Sequence, residues 1–291
     1  MPIQWSPTGA NRVIAGDNLE VIAQLPDRAF TLIYLDPPFN TGRAQARRSS
    51  TAVRSASGSV VGFKGQRYER IRGELMQYDD QFEDYWAFLE PRLTQAWRLL
   101  AEDGTLYLHL DYREAHYAKV LLDALFGREC FLNEIIWAYD YGAKSKSRWP
   151  AKHDTILVYV KNPNRFYFNS EAVDREPYMA PGLVTPEKAA RGKLPTDVWW
   201  HTIVSPTGKE KTGYPTQKPE GVLRRIVQAS SREDDWVLDF FAGSGTTGAV
   251  AAQLGRRFLL VDASAEAIAV IRKRLDGLLV DVEFSQARPA A

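Results

Sequence analysis

Two clusters of residues in this 291-residue chain have types and spacings suited to chemistry. The first is Asp36-Pro37-Pro38-Phe39-Asn40, which follows the apolar run Leu32–Leu35 and leads into Thr41-Gly42. Neither proline can donate to a sheet ladder, so a strand carrying this run must end at Asp36 and leave the sheet stiffly. That places a carboxylate, the Pro37 and Pro38 carbonyls and the Phe39 ring at the carboxyl end of a strand, where open α/β sheets bind ligands. Such groups can grip an exocyclic amine while a flat ring lies on Phe39; an ordinary rigid turn is the alternative. The second cluster is Gly243-x-Gly245-x-x-Gly248 after Asp239 and Phe240, with Asp262 about 20 residues beyond the first glycine. This is the spacing of a nucleotide-binding turn, and a nicotinamide dinucleotide is one candidate for it. A carboxylate at Asp239 would repel a pyrophosphate on the helix N-terminus, whereas it favours a ligand carrying an ammonium and a sulfonium.

The elements that must position these clusters are those of an α/β protein. Strands are expected at Arg12–Gly16, Thr31–Asp36, Thr105–Asp111, Phe131–Asp140, Thr155–Val160, Trp236–Phe240 and Phe258–Asp262. Helices are expected at Asn18–Leu25, at Phe82–Leu100 with a break or kink at Pro91, from Arg113 to Phe126, from about Pro215 with Pro219 in the first turn, and at Thr246–Leu254 up to Gly255. A turn is expected at Asp103-Gly104. In a doubly wound fold the glycine-rich turn follows the first strand of its half, yet only one clear strand comes after it here. The remaining strands must therefore come from earlier in the chain. Wrapping from Trp236 through the N-terminus gives a seven-stranded, mostly parallel sheet in circularly permuted order. Residues 162–213, rich in Pro, Gly and Asn and holding Trp199, Trp200 and His201, read as an insertion outside that sheet.

DPPFNTG resembles the catalytic motif of the DNA amino-methyltransferases, which methylate adenine N6 or cytosine N4. DFFAGSGTTG (Asp239–Gly248) resembles their S-adenosylmethionine motif, and Pro215–Pro219 (PTQKP) resembles the segment before it. The catalytic motif precedes the cofactor motif, with a variable insertion between them. This is the order of the β class of that family, and the resemblance runs from about Val13 to Leu275. It implies a Rossmann-like methyltransferase fold with catalytic half 1–161, a target-recognition insertion at 162–213 and cofactor half 214–291. It also implies catalysis by Asp36, Pro37, Pro38 and Phe39, with base flipping. Cofactor contacts are implied for Asp17, Asn18, Asp36, Lys218, Asp239, Phe240, Ala242, Gly243, Gly245, Thr246 and Asp262. Asp36, rather than Ser, at the first motif position goes with adenine in that family, and cytosine N4 is the alternative. Double-stranded DNA is the implied substrate; a cognate restriction endonuclease and a homodimer are implied partners.

Charge bears on the DNA reading only locally. With 37 basic and 36 acidic residues the formal net charge is +1, which gives no general support to nucleic-acid binding. Residues 43–72, however, hold eight basic residues against the single acid Glu69, and residues 141–152 hold four against none. The first segment (the basic loop 43–75) reads as a functional loop or disorder, the second as a solvated hairpin-like loop. Either can meet phosphates, and Arg43, Arg47, Arg48, Lys144, Lys146 and Arg148 are the residues expected to do so. A catalytically silent DNA-binding relative and an RNA or protein methyltransferase are further alternatives. Cytosine C5 chemistry needs a thiolate, and Cys130 reads as a core residue. A single cysteine fits a reducing cytoplasm, no metal cluster is spaced in the sequence, and neither a signal peptide nor a membrane span is expected.

Overall fold

The computed structural model describes residues 5–39, 45–54, 60–61, 67–78, 85–140, 142, 144–205 and 207–287. The chain divides into two compact units, residues 1–39 with 84–291, and residues 40–83.

The larger unit opens with β1 (Asn11–Ala15), α1 (Asn18–Ile22) and β2 (Phe30–Leu35). Every residue of β2 is buried, as a parallel strand covered on both faces requires. The smaller unit carries β3 (Gln45–Arg54), β4 (Val60–Val61) and β5 (Arg67–Tyr78) as an antiparallel sheet in the order β3-β5-β4. The basic segment expected as loop or disorder is therefore paired strand over much of its length.

The larger unit resumes with α2 (Tyr85–Leu99), β6 (Leu100–Asp111), α3 (Ala115–Phe126), β7 (Phe131–Ala138) and β8 (His153–Val160). Next come α4 (Pro186–Arg191), β9 (Val198–Trp200), α5 (Glu220–Ser230), β10 (Trp236–Asp239) and α6 (Thr246–Gln253). The unit ends with β11 (Arg257–Asp262), α7 (Ala265–Leu275) and β12 (Val282–Gln286). α2 runs unbroken through Pro91. Burial of Leu89, Leu93, Ala96 and Leu99 along one face offsets the roughly 3 kcal/mol that an interior proline costs. β6 absorbs the expected turn at Asp103-Gly104 as an irregularity in its pairing with β2. Gly104 fits there because a Cβ would lie 2.9 Å from the Thr31 carbonyl oxygen.

The main sheet has nine strands in the order β12-β1-β11-β10-β2-β6-β8-β7-β9. All seven expected strands are present, and two edge strands extend the sheet. β12 pairs with β1, and β9 brings Trp199 and Trp200 into register with Trp137 and Ala138. The 198–200 stretch is thus part of the sheet, a correction to the reading of its segment as lying outside. Trp199 is buried in the core, which an indole at a sheet edge reaches through its inward face. β8 alone runs antiparallel to its neighbours. The carboxyl ends of the other strands and the start of β8 therefore share one edge. In the centre β10, late in the chain, pairs with β2, early in the chain, so the two motif strands lie side by side. Among the described residues no helix is long and apolar enough to cross a membrane.

Candidate active site

Asp36 leaves the sheet directly after β2, and its Oδ2 forms an ion pair with Lys218 Nζ. Lys218 is buried, and its ammonium lies 5.0 Å from the centre of the Phe39 ring. The Lys218 carbonyl accepts from Thr246 Oγ1 at 3.1 Å, which ties it to the first residue of α6. Pro219 is the N-cap of α5 rather than a residue of its first turn, so Lys218 is fixed between two helix starts. The other carboxylate oxygen, Asp36 Oδ1, is buried and has no hydrogen-bond partner among the described residues. A buried acceptor costs about 1–3 kcal/mol when left unpaired.

Beneath Phe39 lies a polar array that the sequence reading missed. His109 of β6 is fully buried, with its ring centre 6.0 Å from that of Phe39. Its Nδ1 is 2.8 Å from the Tyr34 hydroxyl, and its Nε2 is 3.2 Å from Asp154 Oδ2. Asp154 Oδ1 accepts from the Tyr139 hydroxyl at 3.0 Å. Burial, and then the charges of Asp36, Asp239 and Asp154, push the Tyr34 phenol well up, so it stays protonated and donates to Nδ1. Nε2–H then donates to Asp154, and this network fixes the imidazole tautomer. Burial alone would raise Asp154, but His109, Lys218 and Tyr139 reverse that and hold it below the usual carboxylate range. His109 sits in the strand Thr105–Asp111, where every residue is buried. A polar residue inside an otherwise apolar strand was its only trace in the sequence.

At the glycine-rich turn, Asp239 is buried at the end of β10. Its Oδ2 accepts from Thr247 Oγ1 at 2.6 Å and its Oδ1 from the Phe241 N–H at 3.0 Å. Burial pushes its pKa up to about 7, opposed by those two hydrogen bonds and helped by the charges of Asp36 and Asp262. Both of its oxygens are engaged within the turn itself. Gly245 is the N-cap of α6 and has φ +71°, which a side chain rarely adopts. The third glycine serves packing, since a Cβ on Gly248 would lie 2.6 Å from Leu260 Cδ1. Asp262, at the end of β11, accepts from the Gly243 N–H at 2.7 Å and the Ser264 N–H at 2.8 Å. Burial raises its pKa.

Tyr214, also missed, lies against the turn, where a Cβ on Gly243 would come 3.2 Å from its ring. Burial, and then the charges of Asp262, Glu266 and Asp36, push its phenol up. On the β1 side, Asn18 Nδ2 donates to the Phe240 carbonyl at 2.8 Å, and Asn18 Oδ1 accepts from Arg92 Nε at 2.6 Å. Asp17 caps α1 through the Glu20 N–H and pairs with Arg92 at 3.2 Å. Asn18, Phe240, Ala242, Gly243, Gly245, Thr246 and Asp262 thus lie at one turn, Asp17 precedes Asn18 at the start of α1, and Asp36 and Lys218 join the turn to β2. The acids at this turn suit a cationic ligand that also carries ribose hydroxyls, and these are the features of S-adenosylmethionine.

Of the residues expected to meet DNA, Lys144, Lys146 and Arg148 are exposed in the connection between β7 and β8. That connection leaves the sheet on the edge that carries Asp36, because β7 runs parallel to β6 and β2. Arg43 lies outside the described residues. Arg47 and Arg48 fall in β3, and their side chains also lie outside the described residues. Among the described residues no group of His, Cys, Asp and Glu is arranged to hold a metal ion.

Comparison with known proteins agrees with this geometry. The model of the N6/N4 DNA methylase family matches residues 30–273. The DNA adenine methyltransferase YhdJ of Escherichia coli (strain K12) is 30% identical over 275 residues, covering 92% of this chain and 83% of that protein. Among solved structures, the M1.HpyAVI–SAM complex aligns with a TM-score of 0.58 at 21% identity, covering 91% of this chain and 98% of that one. The cytosine-N4-specific PvuII DNA methyltransferase aligns with a TM-score of 0.60 at 15% identity, covering 96% of each chain.

Proposed function

Since the chain belongs to the N6/N4 DNA methylase family, we propose that it methylates the N6 amine of adenine in duplex DNA, with S-adenosylmethionine as donor. The observation that carries this reading is the buried Oδ1 of Asp36, unpartnered among the described residues, on a carboxylate whose ion-pair partner Lys218 lies over the Phe39 ring. The target base is stacked and paired in the duplex, so it must be flipped out, which costs a few kcal/mol. Stacking on Phe39 offsets part of that cost. Asp36 Oδ1 and the Pro37 carbonyl accept the two amine hydrogens, drawing the nitrogen lone pair out of conjugation with the ring. Lys218 holds Asp36 through Oδ2 and leaves Oδ1 free to face the amine. Bound S-adenosylmethionine supplies an electrophilic methyl group.

On the cofactor side, Asp239 acts through its charge and Asp262 meets the ribose. Asp17 lies toward the adenine, on the strand next in the wrapped order. Asp239 and Asp262 at the turn favour this cofactor over a dinucleotide, whose pyrophosphate they would repel. Adenine is supported by Asp36, a charged acceptor, and by the name of the Escherichia coli relative. Residues 162–213 are the segment proposed for target recognition, and residues 141–152 a DNA-facing element that meets phosphates. Tritiated methyl transfer offered in parallel to duplex DNA, RNA and protein tests the reading. Transfer confined to duplex DNA is expected, and transfer to RNA or protein alone would overturn it.

A further inference from the structure

The sheet edge that carries Asp36 also carries two large indoles left in water. Trp149 is 97% exposed and Trp200 is 73% exposed. Trp200 ends β9, in a strand that fixes its direction. Trp149 stands in the connection between β7 and β8, among exposed Lys144, Lys146 and Arg148. The near neighbours of the Trp149 indole in the chain are cations, with no acid between Tyr141 and Lys152. That combination, an aromatic face among phosphate-binding charges, suits nucleic acid.

The connection is also built to hold the ring outward. Its base is closed by the Tyr139 N–H to the Lys152 carbonyl at 2.9 Å and by Lys152 Nζ to the Asp140 carbonyl at 3.3 Å. Ser145 Oγ accepts from the N–H groups of Ser147 and Arg148, both at 3.2 Å, and so fixes the turn just before Trp149. Pro150 restricts the backbone of Trp149 to extended conformations. A bulky apolar ring is thus presented on a braced loop rather than folded back onto the protein.

We propose that Trp149 is a stacking wedge that enters the duplex and occupies the space left by the flipped base. This rests on the duplex substrate proposed above. Withdrawing a base leaves an apolar gap between two neighbouring pairs, and apolar side chains are able to enter between base steps. Lys144, Lys146 and Arg148 would seat the loop on the phosphates that flank the gap.

The test compares initial methylation rates on two oligonucleotide duplexes that share the site found by sequencing modified bases in plasmid treated with wild-type protein. One duplex is fully paired; the other has an abasic position opposite the target, so that flipping costs little. Trp149→Ala is expected to be tenfold or more slower than wild type on the paired duplex and within about threefold on the abasic one. Trp149→Phe, which keeps a stacking ring, should stay within about threefold of wild type on both. Wild-type rates for Trp149→Ala on the paired duplex, or an equal loss on both duplexes, would overturn the wedge while leaving the methyltransferase reading intact. A wild-type protein that leaves every duplex unmethylated would sink both.

Discussion

Lys218 and Asp36 lie 182 positions apart in the chain and meet as an ion pair at the junction of the two halves of the sheet. The pair is a direct consequence of the permuted order, because β10 is laid against β2 and the start of α5 reaches over both. Lys218 therefore belongs to the catalytic strand as much as to the cofactor turn with which its sequence neighbours group it. One carboxylate oxygen is committed to the ion pair, and the other has no partner among the described residues.

Asp36→Ala should reduce methyl transfer by at least about 10²–10³-fold, in line with the loss of a fixed polar group aimed at the reacting atom. Binding of S-adenosylmethionine, measured by calorimetry, should change little. Near wild-type turnover in this variant would remove Asp36 from the reaction.

Breaking the pair from the other side should cost stability as well. Lys218→Met leaves a partly buried carboxylate without its cation, and a loss of about 2 kcal/mol is expected in urea unfolding. The double variant Asp36→Ala/Lys218→Met should recover part of that loss, since neither charge is then stranded. Coupling of about 1 kcal/mol or more between the two sites is the expected result, and strict additivity would show that the pair contributes no net stability.

Asp239 gives a pH signature. Its pKa of about 7 in the folded protein lies above the roughly 3.9 of an unfolded aspartate. Between these values the folded state keeps a proton that the unfolded chain has lost. Stability from this group is therefore full below about pH 4, falls as pH rises to about 7 and is level above that. Asp239→Asn should lack this decline, so its urea midpoint relative to wild type should rise between pH 4 and pH 8. The same ionisation strengthens the attraction for a cationic ligand, so wild-type affinity for S-adenosylmethionine should increase as pH rises through about 7. The Asn variant should show a flatter profile. Tight binding of NAD to the wild type would instead revive the dinucleotide reading.

Motif residues and strands were legible in the sequence because each is local. The apolar run ending in Asp36-Pro37-Pro38, and the glycines after Asp239, state their own backbone conformations. The permuted seven-strand set followed from counting strands after the glycine turn. What stayed hidden depends on distant packing. β9 is three residues long and is a strand only because β7 offers it an edge. The His109–Asp154 array is assembled from separate strands and the contact of Tyr214 with the glycine turn from separate loops, and no periodicity marks any of them. Pro91 misled for the same reason, since the burial that keeps α2 whole comes from the rest of the fold.

Neutralising Arg43, Arg47 and Arg48 together should weaken duplex binding at all sequences. If each meets a phosphate, the slope of log affinity against log salt should flatten by about 0.9 per residue. A parallel set, Lys144, Lys146 and Arg148, should behave likewise. An unchanged slope in either set would return that segment to a solvated role.

The base that is modified is decided by chemistry that the fold does not fix, because adenine N6 and cytosine N4 are both amines on flat rings. The same acceptors and the same Phe39 face serve either. The distinguishing feature is the charge at Asp36, which gives a stronger, charge-assisted hydrogen bond than a hydroxyl at that place would. In the proposed reaction Lys218 keeps that charge in position, and Oδ1, unpartnered among the described residues, is the atom that delivers it. N6-methyladenine without N4-methylcytosine is therefore expected when nucleosides from DNA methylated in vitro are separated and weighed by mass spectrometry. The reverse result would show that pocket shape, and not the acceptor, selects the ring. It would move the chain to cytosine N4 while leaving its place in the DNA methylase family untouched.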